Sequence, residues 1–105
     1  MKRDIFQALS DPTRRAILML LATQAMTPNA LAEQFHTTRQ AVSKHIKILS
    51  ESNLVTQDRQ GREIHYNINP ESINEIEHWI EQFKGLLQKR FSQLDEVLNN
   101  LNLKK

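Results

Sequence analysis

The chain has 105 residues, enough for one hydrophobic core and too few for two domains. Apolar residues at 39% and charged residues at 25% are ordinary for a water-soluble globule, and the absence of cysteine excludes a disulfide framework or a thiolate metal site. The formal net charge is only +2, which excludes neither an acidic nor a basic partner until its distribution is read.

With only two glycines and three prolines, the chain has few breakers and reads as mostly helical. No apolar run approaches the ~20 residues that span a bilayer, and Met1–Asp4 opens without a signal-peptide pattern, so no membrane insertion and a cytoplasmic location are expected. In DIFQALS, Ile5, Phe6 and Leu9 recur at helical spacing and predict a short first helix. In SDPTRRAILMLLA, Asp11 is an N-cap with Pro12 in the first turn. Ala16, Ile17, Met19, Leu20 and Leu21 make the following helix apolar on most sides, which predicts a central position. Thr27-Pro28 repeats the cap-plus-proline signal and opens a short helix with Leu31, Ala32 and Phe35 inward. His36-Thr37 forms a turn, Thr38 caps, and RQAVSKHIKIL begins a helix that runs to about Ser52. Two short helices joined by such a turn predict a helix-turn-helix.

The period then changes. In LVTQDRQGREIHYNI, Ile64, Tyr66 and Ile68 alternate with Glu63, His65 and Asn67, and Gly61 marks a turn. That pattern predicts a β-hairpin with its tip at Gln60-Gly61-Arg62, leaning on the helices because two strands alone are marginal. Asn69-Pro70 ends the strand. From about Glu71, Ile73, Ile76, Ile80, Phe83, Leu87, Phe91, Leu94, Leu98 and Leu101 recur every three or four residues. One unbroken helix of nearly thirty residues would be roughly 40 Å long, against roughly 26 Å for a domain of this size. Its far stripe therefore needs a second copy to cover it, unless the helix breaks near Gly85.

The functional signal lies in the helix that begins at Arg39. Val42, Ile46 and Leu49 form its apolar stripe, while Gln40, Ser43, Lys44 and Lys47, at i, i+3, i+4 and i+7, form a polar face without an acid. Residues 37–62 hold Arg39, Lys44, Lys47, Arg59 and Arg62 against Glu51 and Asp58, a net +3. A clustered cationic excess suits a polyanion. A major groove admits one helix, and acids on it would repel phosphate. Thr37, Thr38 and Arg39 stand at the helix start, where such helices meet bases and phosphates. Glutamine pairs with adenine, arginine with guanine and serine with either, whereas Lys44 and Lys47 suit phosphate. Arg59 and Arg62 flank the hairpin tip, within reach of the DNA backbone or minor groove. The predicted architecture is a mostly α winged helix-turn-helix of about five helices and a two-stranded wing. It forms one domain over 1–105, with a DNA-binding core at about 4–69 and a dimerisation helix at 71–101.

ALSDPTRRAILMLL, MTPNALAEQF, AVSKHIKILSESNLV and GREIHYNI, in that order, resemble the ArsR-type family of bacterial winged-helix repressors over roughly residues 4–83. The resemblance implies a homodimer, paired through the first and last helices, that binds a palindromic operator and represses transcription. It carries DNA contact onto Thr38, Arg39, Gln40, Ser43, Lys44 and Lys47, and the wing onto Arg59–Arg62. The dimerisation residues expected are Ile5, Phe6, Leu9, Ile76, Ile80, Phe83, Leu87, Phe91 and Leu94. Metal-sensing members carry paired cysteines or paired Asp/His and His/Glu ligands. Here the last helix has one histidine, His78, with Glu75 at i−3, short of the four ligands of a structural zinc site. No metal or other cofactor is therefore expected. The chain more closely resembles members without metal motifs, through LSDPTRR and the HWIEQF segment around Trp79. In those members, release from DNA depends on a membrane partner, another protein or an effector still to be identified.

His45 falls between the core stripe and the polar face and is assigned to packing or phosphate. His65 is expected to be an exposed strand position and His36 a turn residue. Two other readings keep the same fold: a metal- or small-ligand-gated repressor, and a module whose basic face meets an acidic protein. An enzyme finds no support, because no nucleophile–base–orienter set, glycine-rich phosphate loop or ligand cluster is legible.

Overall fold

The computed structural model describes residues 3–101; Met1, Lys2 and residues 102–105, the ends of the segments discussed above, lie outside the described residues. In chain order the elements are α1 (Ile5–Ala8), α2 (Pro12–Leu21), α3 (Pro28–Gln34), α4 (Arg39–Glu51), β1 (Val55–Gln60), β2 (Glu63–Ile68) and α5 (Pro70–Asn100). The fold is a winged helix-turn-helix with five helices and one antiparallel two-stranded sheet, as the sequence predicts. The chain divides into two compact units, one up to Ile73 and one from Asn74.

In the first unit every helix start carries a side-chain cap. Asp4 accepts from the Phe6 N–H, Asp11 from Arg14, Thr27 from Ala30 and Thr38 from Ala41, the last three at 3.0–3.1 Å. Each cap satisfies an amide that the helix cannot pair internally. The ends of α3 and α4 use one device. His36 (φ +52°) and Asn53 (φ +60°) adopt left-handed backbone. Thr37 N–H then reaches the Ala32 carbonyl at 3.0 Å, and Leu54 N–H reaches Leu49 at 3.0 Å. These are Schellman closures. The first makes the sharp corner of the helix-turn-helix.

Ile17 and Leu21 of α2, Leu31 of α3, Val42, Ile46 and Leu49 of α4, and Leu54 are at most 2% exposed and make up the core. Burial of each side chain contributes about 1.5–3 kcal/mol. Arg14 Nε donates to the Ala8 carbonyl at 2.7 Å and Arg15 Nη1 to Leu9 at 2.7 Å, closing the unpaired carbonyls at the end of α1. The two arginines of DPTRR are thus structural. Arg3 pairs with Glu51 at the end of α4.

Two expectations need correction, and one pair of neighbours divides between core and surface. Met19 is 72% exposed, so α2 presents an outward side as well as a buried one. Ile5 is 2% exposed, with its side chain in the core of its own chain, whereas its neighbour Phe6 is 37% exposed. His65 is half-buried on β2 rather than exposed.

The wing pairs Val55 with Ile68 through to Gln60 with Glu63, leaving a two-residue loop. Gly61 sits at φ +66°, the left-handed value that the first loop position of a type II′ turn requires. Away from the tip, Tyr66 N–H donates to the Met26 carbonyl at 2.8 Å and Met26 N–H to Tyr66 at 3.1 Å, which ties β2 to the residues leading into α3.

Among its described residues the second unit is helical through Asn100, the continuation of a helix that begins in the first unit. α5 starts behind Asn69, whose side chain accepts from Glu71 N–H, and runs unbroken through Gly85. Ile80, Phe83, Phe91, Leu94, Val97 and Leu101 are 40–61% exposed, and Trp79 stacks on Phe83 with ring centroids 5.4 Å apart. Among the described residues no helix is long and apolar enough to cross a membrane.

Candidate nucleic-acid interface

Three buried side chains fix the orientation of α4. Val42, Ile46 and Leu49, at i, i+4 and i+7, anchor it to the core. That anchoring leaves Arg39, Gln40, Ser43, Lys44 and Lys47 exposed, as the alternation of the sequence requires. Thr37 and Thr38 are exposed at the start of the helix, with the Thr38 hydroxyl already committed to capping. Arg59 and Arg62 are exposed on the wing. Among the described residues none of these five Lys and Arg side chains forms an ion pair, while Glu51, the nearest acid along α4, is taken by Arg3. The Arg3 guanidinium, chiefly by hydrogen bonding, holds the Glu51 carboxyl below its ordinary pKa, and the Lys47 charge adds to the effect.

The structure brings part of the sequence-derived set together. Arg39 and Ser43 of α4 and Arg62 of the wing line one groove of about 260 Å³, closed on its third side by Thr27, Pro28 and Asn29 at the start of α3. Ser43 and Lys47 line a second, of about 240 Å³, with Gln57 of β1 and Tyr66 of β2. Thr37 belongs elsewhere, to a hollow at the helix-turn-helix corner shared with Thr13, His36 and His45. Gln40, Lys44 and Arg59 project outside all three. Asn29, Gln57 and Tyr66 are additions that sequence reasoning misses. No local pattern marks them, because they reach the grooves only through the Met26–Tyr66 bridge and the pairing of β1 with β2.

His45 packs toward α2, with Nδ1 buried, without a hydrogen bond among the described residues and 3.9 Å from Asp11 Oδ2. It is half-buried, in keeping with a packing role. The Asp11 carboxyl lies below its ordinary pKa, chiefly because it accepts the Arg14 N–H, with the charges of Arg14 and His45 contributing. Among the described residues no group of three or more His, Cys, Asp or Glu is placed to hold a metal ion.

A helix with an acid-free polar face, preceded by a helix and a tight corner and followed by a cationic hairpin, defines the winged helix-turn-helix class of DNA-binding proteins. The helix-turn-helix domain family matches residues 3–58. The transcriptional repressor SdpR of Bacillus subtilis (strain 168) is 35% identical over 80 residues, covering 76% of this chain and 89% of the relative. An ArsR-like transcriptional regulator from Rhodococcus sp. RHA1 superposes with a TM-score of 0.78 at 30% identity, over 89% of this chain and 88% of that one. The solution structure of a homodimeric winged helix-turn-helix DNA-binding domain from Mycobacterium bovis shares the fold with a TM-score of 0.62 at 24% identity, over 75% of this chain and 73% of that one. The chain belongs to the ArsR family of winged helix-turn-helix transcriptional regulators.

Proposed function

We propose that this protein is a cytoplasmic, metal-independent, homodimeric repressor that binds a palindromic operator, its own upstream DNA included. It acts as a DNA-binding protein rather than a catalyst, and the whole chain works as one functional domain. In this reading residues 4–69 hold the DNA and residues 71–101 pair the protomers. Thr37, Thr38, Arg39, Gln40 and Ser43 face bases and nearby phosphates, Lys44 and Lys47 hold phosphates, and Arg59 and Arg62 hold the backbone beside the site.

The observation that carries this reading is the set of five exposed cations on α4 and the wing, none ion-paired among the described residues. Five charges left in water on and beside a helix whose single acid, Glu51, is already paired with Arg3 gain little from the fold itself. They gain from replacing the counterions of a polyanion. Pairing is supported by the apolar side chains of α5 exposed in a single chain, and by the homodimeric state of the Mycobacterium bovis relative. Dimerisation also serves specificity. A mismatched base costs about 1–3 kcal/mol, too little for one helix to select a genomic site, whereas two helices about 34 Å apart read two half-sites.

An electrophoretic shift titration on the protein's upstream DNA, with and without Zn²⁺ and over a range of salt, tests the reading. Expected are a dimer-sized complex, the same affinity with and without zinc, and a fall in log K against log salt of about 0.9 per neutralised phosphate. A shallow salt slope together with tight binding to an acidic protein would instead identify a protein-interaction module.

A further inference from the structure

The groove between wing and recognition helix contains polar groups that the proposed function leaves unused. The two Met26–Tyr66 hydrogen bonds hold β2 against the chain entering α3, and this brings Asn29 into the groove that Arg39 and Arg62 line. Asn29 is exposed, and among the described residues its amide makes no hydrogen bond to another side chain. Tyr66 is half-buried in the wall, and among the described residues its hydrogen bonds are those of its backbone, which leaves the hydroxyl unpartnered. The Thr27 hydroxyl, by contrast, is committed to capping Ala30. Two guanidinium groups share the groove with one acid, Glu63, and neither pairs with it. The groove thus offers two charges and two neutral donors to an acceptor-rich anion. Arginine forks match the geometry of phosphate oxygens, and amide and phenol groups supply the additional donors that phosphodiester contacts commonly use.

We infer that this groove is a backbone clamp that holds one DNA phosphodiester between the wing and α4. Arg39 and Arg62 are its cationic partners, and the Asn29 amide and the Tyr66 hydroxyl are its neutral donors. The inference rests on the DNA-binding reading of this surface and changes two roles within it. Arg39 becomes a backbone contact rather than a reader of guanine, and α3 contributes a contact of its own.

A phosphate contact carries no base preference, so the operator need not be known. The probe is a mixed-sequence duplex of about three helical turns, followed by fluorescence anisotropy at low salt. Asn29→Asp, which places a carboxylate against the phosphate, is expected to weaken binding about tenfold, and Tyr66→Phe about threefold, equally on duplexes of unrelated sequence. Arg39→Ala is expected to lower the salt slope by about one and leave the bases selected from a random duplex library unchanged. Thermal melting of Asn29→Asp and Tyr66→Phe should match the unmodified protein, because neither side chain makes a hydrogen bond that the fold needs.

Wild-type binding by both Asn29→Asp and Tyr66→Phe, with loss in Lys44→Ala and Arg59→Ala, would overturn the clamp and leave DNA binding standing. A change in the selected bases on Arg39→Ala would do the same. Failure of the duplex to displace inorganic phosphate from the groove would place its phosphodiester elsewhere and overturn the clamp. If no cation variant weakens the complex, the DNA-binding reading fails and the clamp fails with it.

Discussion

Removing the Phe83 ring is the most direct way to test whether α5 pairs protomers. Phe83 is 49% exposed in the single chain and stacks on Trp79, itself 49% exposed. A phenylalanine offers roughly 200 Å² of surface, so about 100 Å² of Phe83 remains to be covered by a partner. At about 25 cal/mol per Å² this amounts to about 2.5 kcal/mol. A two-fold interface counts it twice, so Phe83→Ala should cost about 5 kcal/mol, more than three decades in the dimer Kd at 1.4 kcal/mol per decade. Phe83→Asp should cost more, because a carboxylate in an apolar seam loses its hydration. Sedimentation equilibrium measures the Kd, and far-UV circular dichroism checks that α5 remains helical. Operator binding should fall with the dimer while Arg39 and Lys44 are untouched. If Phe83→Asp dimerises normally, α5 is not the seam. If it is monomeric yet binds operator with full affinity, the argument that symmetry supplies specificity is wrong.

Gln40→Ala should change which bases are selected from a random duplex library, whereas Arg62→Ala should weaken all duplexes alike; equal behaviour of the two would mean that base and backbone roles are misassigned. Leu49→Ala removes a side chain with no exposed surface from the helix proposed to carry the DNA contacts. It should cost about 2–5 kcal/mol in chemical denaturation, and a loss below about 1 kcal/mol would show that α4 is not anchored as described. Asp11 and Glu51 both have carboxyl pKa values lowered in the folded state. Their stabilisation is therefore present above the unfolded values, near about 4, and lost as pH falls through the folded ones. Thermal melts from about pH 5 down to about pH 3 should show Asp11→Asn and Glu51→Gln with a shallower acid loss than the unmodified chain, and parallel curves would refute the linkage.

What the sequence determines here is whatever its near neighbours along the chain enforce. Asp11, Thr27 and Thr38 cap the helices expected of them because a cap bonds an amide three residues on, and Pro12 and Pro28 fit the adjacent first turn. Gly61 sets the wing tip because only the two-residue loop around it decides that turn. The α4 stripe fixes which of its residues face outward, since burying Val42, Ile46 and Leu49 leaves the polar side no other direction. Tertiary structure decided the rest. That Ile5 turns inward and Phe6 outward depends on what lies beside a four-residue helix, and both are equally apolar in the sequence. Arg14 and Arg15 carry charge like any surface pair, yet their place beside the end of α1 makes them its C-terminal closure. Asn29 and Tyr66 join Arg39 and Arg62 only because Met26 and Tyr66 meet across forty residues of chain. Periodicity registers contacts made within one element, and a contact between distant segments exists only once the chain has closed on itself.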